Sequence, residues 1–336
     1  SPAGALRPRV SAMTPTPHDA LFKATFSQPE HAAAALREVL PAAVAARIDF
    51  ATLALQSGSF IDQKLAASQS DLLFSARLER ASVFIYVLFE HQSTTHPLMA
   101  LRLLEYMVRI WHGYLERHPR ATRIPAILPV VLHHSDTGWN AAVAFQELID
   151  VPSATLALIA EHVPHFRFVL DDISAETDEA LRARAMTALG RLVLWCFRHA
   201  RRPEELVARL SGWYEVVREV RRAPGGGAAL ARVWRYILNI ADPAQPGEML
   251  QRLLAAAGPE TKEEIVTIAD YLREQGRQAG EREGQRSALL KQLRLRFGEL
   301  PEQVVARVRA ADAAQIEGWI ERVITSPTLD DVLAER

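Results

Sequence analysis

Ser70-Asp71-Leu72-Leu73-Phe74 and, after the turn Leu78-Glu79-Arg80-Ala81-Ser82, Val83-Phe84-Ile85-Tyr86-Val87-Leu88-Phe89-Glu90-His91-Gln92-Ser93 decide the fold. The unbroken run Val83–Phe89 is β-branched and aromatic, the pattern of a strand covered on both faces. An acid opens the first strand, and Glu90 and Gln92 close the second at i and i+2. If the hairpin centres between Arg80 and Ala81, Asp71 faces Glu90, and Gln92 shares the face of Glu90. Adjacent carboxylates repel unless a cation lies between them. Hard oxygen ligands with room for water suit Mg²⁺ or Mn²⁺. On spacing alone, the simpler reading is that these are polar residues marking exposed strand ends.

The chain has 336 residues, enough for two or three units. Hydrophobic residues make up 49% and charged residues 24%, an ordinary globular balance. The net charge of −1 requires any anionic partner to be met by a local patch. One cysteine, Cys196, excludes a disulfide framework and a cysteine-rich zinc site. It sits in the apolar run Leu192–Phe197 and reads as core. No segment reaches the roughly 18 apolar residues of a membrane helix, and residues 1–12 lack the apolar core of a secretory signal. Residues 1–13 read as a disordered extension, and a cytoplasmic protein is the expectation.

Outward from the hairpin, Pro17–Lys23 opens a helix and Pro29–Leu40 forms a second. Thr52–Ser57 reads as a strand. Pro97 starts a helix to about His118, for which Leu98, Leu101, Leu104, Tyr106, Val108, Trp111 and Leu115 supply a broad apolar face. Pro125–Leu132 and Phe166–Leu170 are further strands. The order is helix, three strands, helix, strand, strand: an α/β mixed sheet flanked by helices, placed in residues 14–172. A helical region follows at 173–275, with helices at about 176–200, 203–222, 228–240, 246–256 and 261–275. Residues 276–336 read as a glycine-striped linker helix, from Gly276, Gly280 and Gly284, and a small helical module. The stripe suits either a frayed linker or a close helix partner, a second copy of the chain being one.

His18-Asp19-Ala20-Leu21-Phe22-Lys23, Ser59-Phe60-Ile61-Asp62, Ser70-Asp71 and Glu90-His91-Gln92-Ser93 follow one another in an order that resembles the Rpn family of recombination-promoting nucleases, the YhgA-like transposases. Leu103–Tyr106, Pro129–His134 and Trp139 continue the likeness, which covers roughly residues 14–275. The resemblance implies a restriction-endonuclease-like fold of the PD-(D/E)XK type and metal-dependent cleavage of DNA. By the same resemblance Asp71 is the motif aspartate and Glu90 the acid of the (D/E)XK element. Gln92 stands where lysine is usual, and Asp62 and Asp19 fit other acidic positions. A glutamine carries no charge, so it can only orient water or offer its oxygen to a metal. The metal, Mg²⁺ or Mn²⁺, is then left most of the work of activating water and neutralising the phosphate.

Strand alternation turns His91 away from Glu90 and Gln92, toward a structural role. His133 and His134 end a strand near a Gly-Trp loop, where they read first as loop packing, and one could instead reach the scissile phosphate or the DNA backbone. His18-Asp19 either orients the site or caps its helix, and Lys23 is a candidate phosphate contact. The arginines of residues 182–222 are the densest basic region, but acids interleave with them. An inactive DNA-binding or assembly protein that keeps the fold is the alternative to a nuclease. A homodimer through the C-terminal helices is a third expectation.

Overall fold

In the computed structural model, residues 16–56, 71–90, 95–240 and 246–334 are described. Thr16 begins helix α1 (Pro17–Phe26) through a capping box, accepting from the Asp19 amide while the Asp19 carboxylate accepts from Thr16. Helix α2 (Pro29–Val39) follows. Strands β1 (Ile48–Leu55), β2 (Asp71–Leu78) and β3 (Ala81–Glu90) come next, then helix α3 (Met99–Arg117) and strands β4 (Ala126–His133) and β5 (Val169–Asp172). One sheet runs β1-β2-β3-β4-β5, with the first three strands antiparallel and β3, β4 and β5 parallel. This is the mixed sheet expected from the element order.

The hairpin register differs from expectation by two residues. Leu78 pairs with Ala81 and Asp71 with Leu88, so the turn is Glu79-Arg80 alone and Asp71 does not face Glu90. Glu79 adopts φ 55°, which lets two residues reverse the chain. The shift is even, so the faces of both strands are unchanged.

The two sheet faces are covered differently. Leu73, Phe84, Tyr86, Leu88 and Val131 pack against Met99, Leu103, Met107 and Ile110 of α3. Leu72, Phe74, Val87, Val130 and Leu132 line a void with Phe22, Phe26 and Leu36 of α1 and α2 and with Leu194. The buried face of α3 is therefore not the one expected. Of the residues assigned to it, Leu98, Leu101, Val108 and Leu115 are exposed.

The expected helix at 176–200 is broken at Arg184, whose backbone leaves the helical region. A short helix, Asp178–Ala183, precedes it and α4 (Ala188–Arg198) follows. The expected 203–222 helix likewise divides, into Pro203–Arg209, a 3-10 turn and α5 (Tyr214–Arg222). Helix α6 (Gly226–Ile240) comes next. Its first residue must be glycine, because a Cβ there would meet the Val220 carbonyl at 1.9 Å. Cys196 is fully buried, and burial pushes its thiol pKa up.

The chain divides into two compact units, residues 1–265 and 266–336. Helix α7 (Lys262–Phe297) is continuous for 36 residues, so the expected boundary at 275/276 falls inside it. Residues 273–285 are exposed, and a Cβ on Gly276, Gly280 or Gly284 would meet nothing within 4 Å. The second unit has its own core, built from Leu289, Leu293, Val308, Ile316, Trp319, Val323 and Leu333.

Candidate active site

The carboxyl ends of β3, β4 and β5 finish level. Glu90 is in register with His133, and His133 with Asp172. Asp71 begins β2 beside them, opposite Leu88 and two positions short of Glu90 along β3. Open α/β sheets present ligand sites at this end.

Asp71 is 8% exposed. The Tyr86 hydroxyl donates to its Oδ2 at 2.5 Å, on the α3 face of the sheet. Burial holds the Tyr86 phenol well above its ordinary pKa, and the Asp71 charge and the hydrogen bond push it the same way. Tyr106, its ring 5.5 Å from Tyr86, accepts from Arg102 Nε at 3.2 Å. Sequence reasoning missed Tyr86 as part of the site. Its one signal was a lone hydroxyl inside a run of hydrocarbon side chains.

His133 lies on the α3 face with Asp71, fully buried, its Nε2 3.0 Å from Ser135 Oγ and its ring edge-on to Trp139. Asp172 is committed to the loop after β4. It accepts from the Trp139 amide at 2.7 Å and from the Ser174 amide and hydroxyl at 3.1 and 2.5 Å.

His134 points to the other face. Its ring centroid is 5.8 Å from that of His18 and stacks on Phe197 at 5.9 Å, and His18 Nδ1 is 2.8 Å from the Tyr236 hydroxyl. His18 and His134 thus meet each other, with the sheet between them and Asp71. Asp19 serves the capping box, and Lys23 follows it on α1. Asp62, His91 and Gln92 lie outside the described residues, and Glu90 is described by its backbone alone. Among the described residues, no group of three His, Cys, Asp or Glu side chains is placed to hold a metal ion.

The arginines of 182–222 are largely committed within the chain. Arg184 bridges Asp171, at 2.6 and 2.9 Å, and Glu176, and these contacts raise its pKa against the opposing effect of burial. Arg191 pairs with Glu219 at 2.7 Å and Arg221 with Glu264 at 3.2 Å.

The family profile described as "Putative transposase, YhgA-like" matches residues 16–224, from the start of α1 to the break before α6, and so takes in the whole sheet. The chain belongs to that family. Among its relatives, the recombination-promoting nuclease RpnA of Escherichia coli K12 is 30% identical over 271 residues, covering 79% of this chain and 86% of that protein. The inactive recombination-promoting nuclease-like protein RpnE of the same strain is 28% identical, covering 89% of this chain and 96% of its own length. RpnD of E. coli O157:H7, another recombination-promoting nuclease, is 27% identical over 77% and 95%. The relatives therefore include proteins named for nuclease activity and proteins named for lacking it. No solved structure matches the chain. Among the described residues, no helix is long and apolar enough to cross a membrane.

Proposed function

We propose that this protein is a recombination-associated nuclease, a metal-dependent endodeoxyribonuclease working in the cytoplasm on DNA. The observation that carries the reading is the buried Asp71 carboxylate, held by Tyr86 at the start of β2, with Glu90 closing the neighbouring strand two positions beyond its partner. The names of RpnA and RpnD agree with it. In this reading Asp71 and Glu90 hold Mg²⁺, or Mn²⁺ in its place, and Gln92 orients water or adds an oxygen ligand. The ion, when bound, supplies Lewis acidity toward the phosphate and a more acidic water. The donor set fits a hard cation, being oxygen throughout. Tyr86 fixes the orientation of Asp71, so that no rotamer search is needed when ligands assemble. The low dielectric around this buried carboxylate strengthens its hold on a cation.

Supercoiled-plasmid nicking in Mg²⁺ and in Mn²⁺ tests the assignment. Wild type should cut, whereas Asp71→Ala and Glu90→Ala should lose the activity by at least about 100-fold. Equal cleavage by all three proteins would sink it. The second reading, a DNA-binding protein without turnover, is favoured by the inactive name of RpnE, which aligns over most of the chain. It requires a gel shift with no cutting in any divalent metal.

A further inference from the structure

Helix α3 has two apolar faces, and the sheet uses one. Met99, Ala100, Leu103, Met107 and Ile110 are buried. On the opposite side Leu101, Val108 and Leu115 stand 38%, 40% and 38% exposed, seven residues apart. A helix drifts only about 20° per seven residues, so they form a straight stripe about 21 Å long at the helical rise. Exposed contiguous apolar surface marks an interaction site, and a seven-residue repeat suits another helix.

The stripe is symmetric about Val108. We propose that a second copy of this chain lays its own α3 antiparallel on it, forming a homodimer whose two-fold axis passes at Val108. In such a contact each residue meets the one its counterpart came from. Leu101 of one copy reaches Leu115 of the other, and Val108 meets itself. The flanks obey the same symmetry. Half-buried Leu104 comes level with Trp111 on one side. On the other, Glu105 comes level with Arg109 and His112, and the contact occurs twice.

Charge selects this orientation. Glu105 and Arg109 stand one turn apart on α3, yet among the described residues neither is in an ion pair within the chain. Parallel helices would set the flank of Glu105 and Arg109 against the flank of Leu104 and Trp111, where neither charge meets an opposite one. Antiparallel helices set opposite charges together. The ends extend the surface, with Leu98 46% exposed at one and Ile124 48% exposed at the other. Ile124 is tied to the helix there, because Trp111 Nε1 donates to the Pro125 carbonyl at 2.8 Å. The C-terminal glycine stripe offers no comparable surface, since residues 273–285 hold charged and polar side chains around it.

Light scattering on the full chain should give twice the 37.4 kDa of one copy. Glu105→Arg and Arg109→Glu should each weaken dimerisation by on the order of 10-fold, and the double swap should restore it. Val108→Asp should give a monomer with an unchanged circular dichroism spectrum. Val108→Cys should form a disulfide-linked dimer on mild oxidation, because native Cys196 is fully buried. A wild-type monomer would overturn the proposal. So would a dimer that survives Val108→Asp and does not cross-link through Val108→Cys, since its contact must lie elsewhere.

Discussion

A phenol hydroxyl, the one polar group among the side chains of the run Val83–Phe89, lies 2.5 Å from the Asp71 carboxylate. Replacing Tyr86 by phenylalanine removes a charge-assisted bond from a buried acceptor, which costs about 1.5–3 kcal/mol. The urea midpoint of Tyr86→Phe should fall accordingly, with secondary structure retained. Tyr86 and Tyr236 both hold their protons above the ordinary value of 10.0, mainly through burial, with Asp71 adding at Tyr86 and Cys196 at Tyr236. The unfolded chain releases those protons near pH 10, and the folded chain does not. The stability they confer is therefore complete below pH 10 and is lost as pH rises beyond it. An absorbance titration should show fewer ionised tyrosines in the native protein above pH 10 than the six that appear on unfolding in urea.

Among elements, the Arg184 bridge ties the start of the helical region to β5. Arg184 and Asp171 side chains are each only 10% exposed. Truncating Arg184 to alanine leaves a carboxylate buried beside an empty site and should cost about 3–5 kcal/mol in urea unfolding. Glycine positions divide sharply. Gly226→Ala would drive a methyl into the Val220 carbonyl and should lower the thermal midpoint. Gly276, Gly280 and Gly284 face open space, so alanine at each should stabilise α7 by about 0.5–1 kcal/mol. The triple variant should melt higher by circular dichroism. A lower melting point would mean that the stripe makes a close contact after all.

At the scale of the whole molecule, two units carry separate hydrophobic cores, and the family match ends at residue 224 within the first. Their unfolding is expected to separate in calorimetry. Trp319, 2% exposed at the centre of the second core, offers the test. Trp319→Ala should cost about 3–5 kcal/mol and shift one transition while leaving the other in place. A single transition that moves as a whole would show that the long helix couples the two units.

Much of this was legible in the sequence because it rests on local chemistry. The run Val83–Phe89 reads as a strand covered on both faces, Pro17 announces α1, and the alternation of elements fixes a mixed sheet. Asp71 and Glu90 stood out as acids at the ends of apolar strands, and the order of short motifs carried the family. Other features depend on contacts between residues distant in the chain. The turn Glu79-Arg80 has no glycine or asparagine to mark its centre, so only strand pairing could set the register and move Asp71 opposite Leu88. His133 and His134 are adjacent, and only the sheet decides that one joins the face of Asp71 while the other meets His18. Helix α3 is apolar around more than half its circumference, so periodicity could not choose its inner face. The sheet chose Met99, Leu103, Met107 and Ile110, because those side chains fill the space above Tyr86 and Leu88, and it left Leu101, Val108 and Leu115 outside.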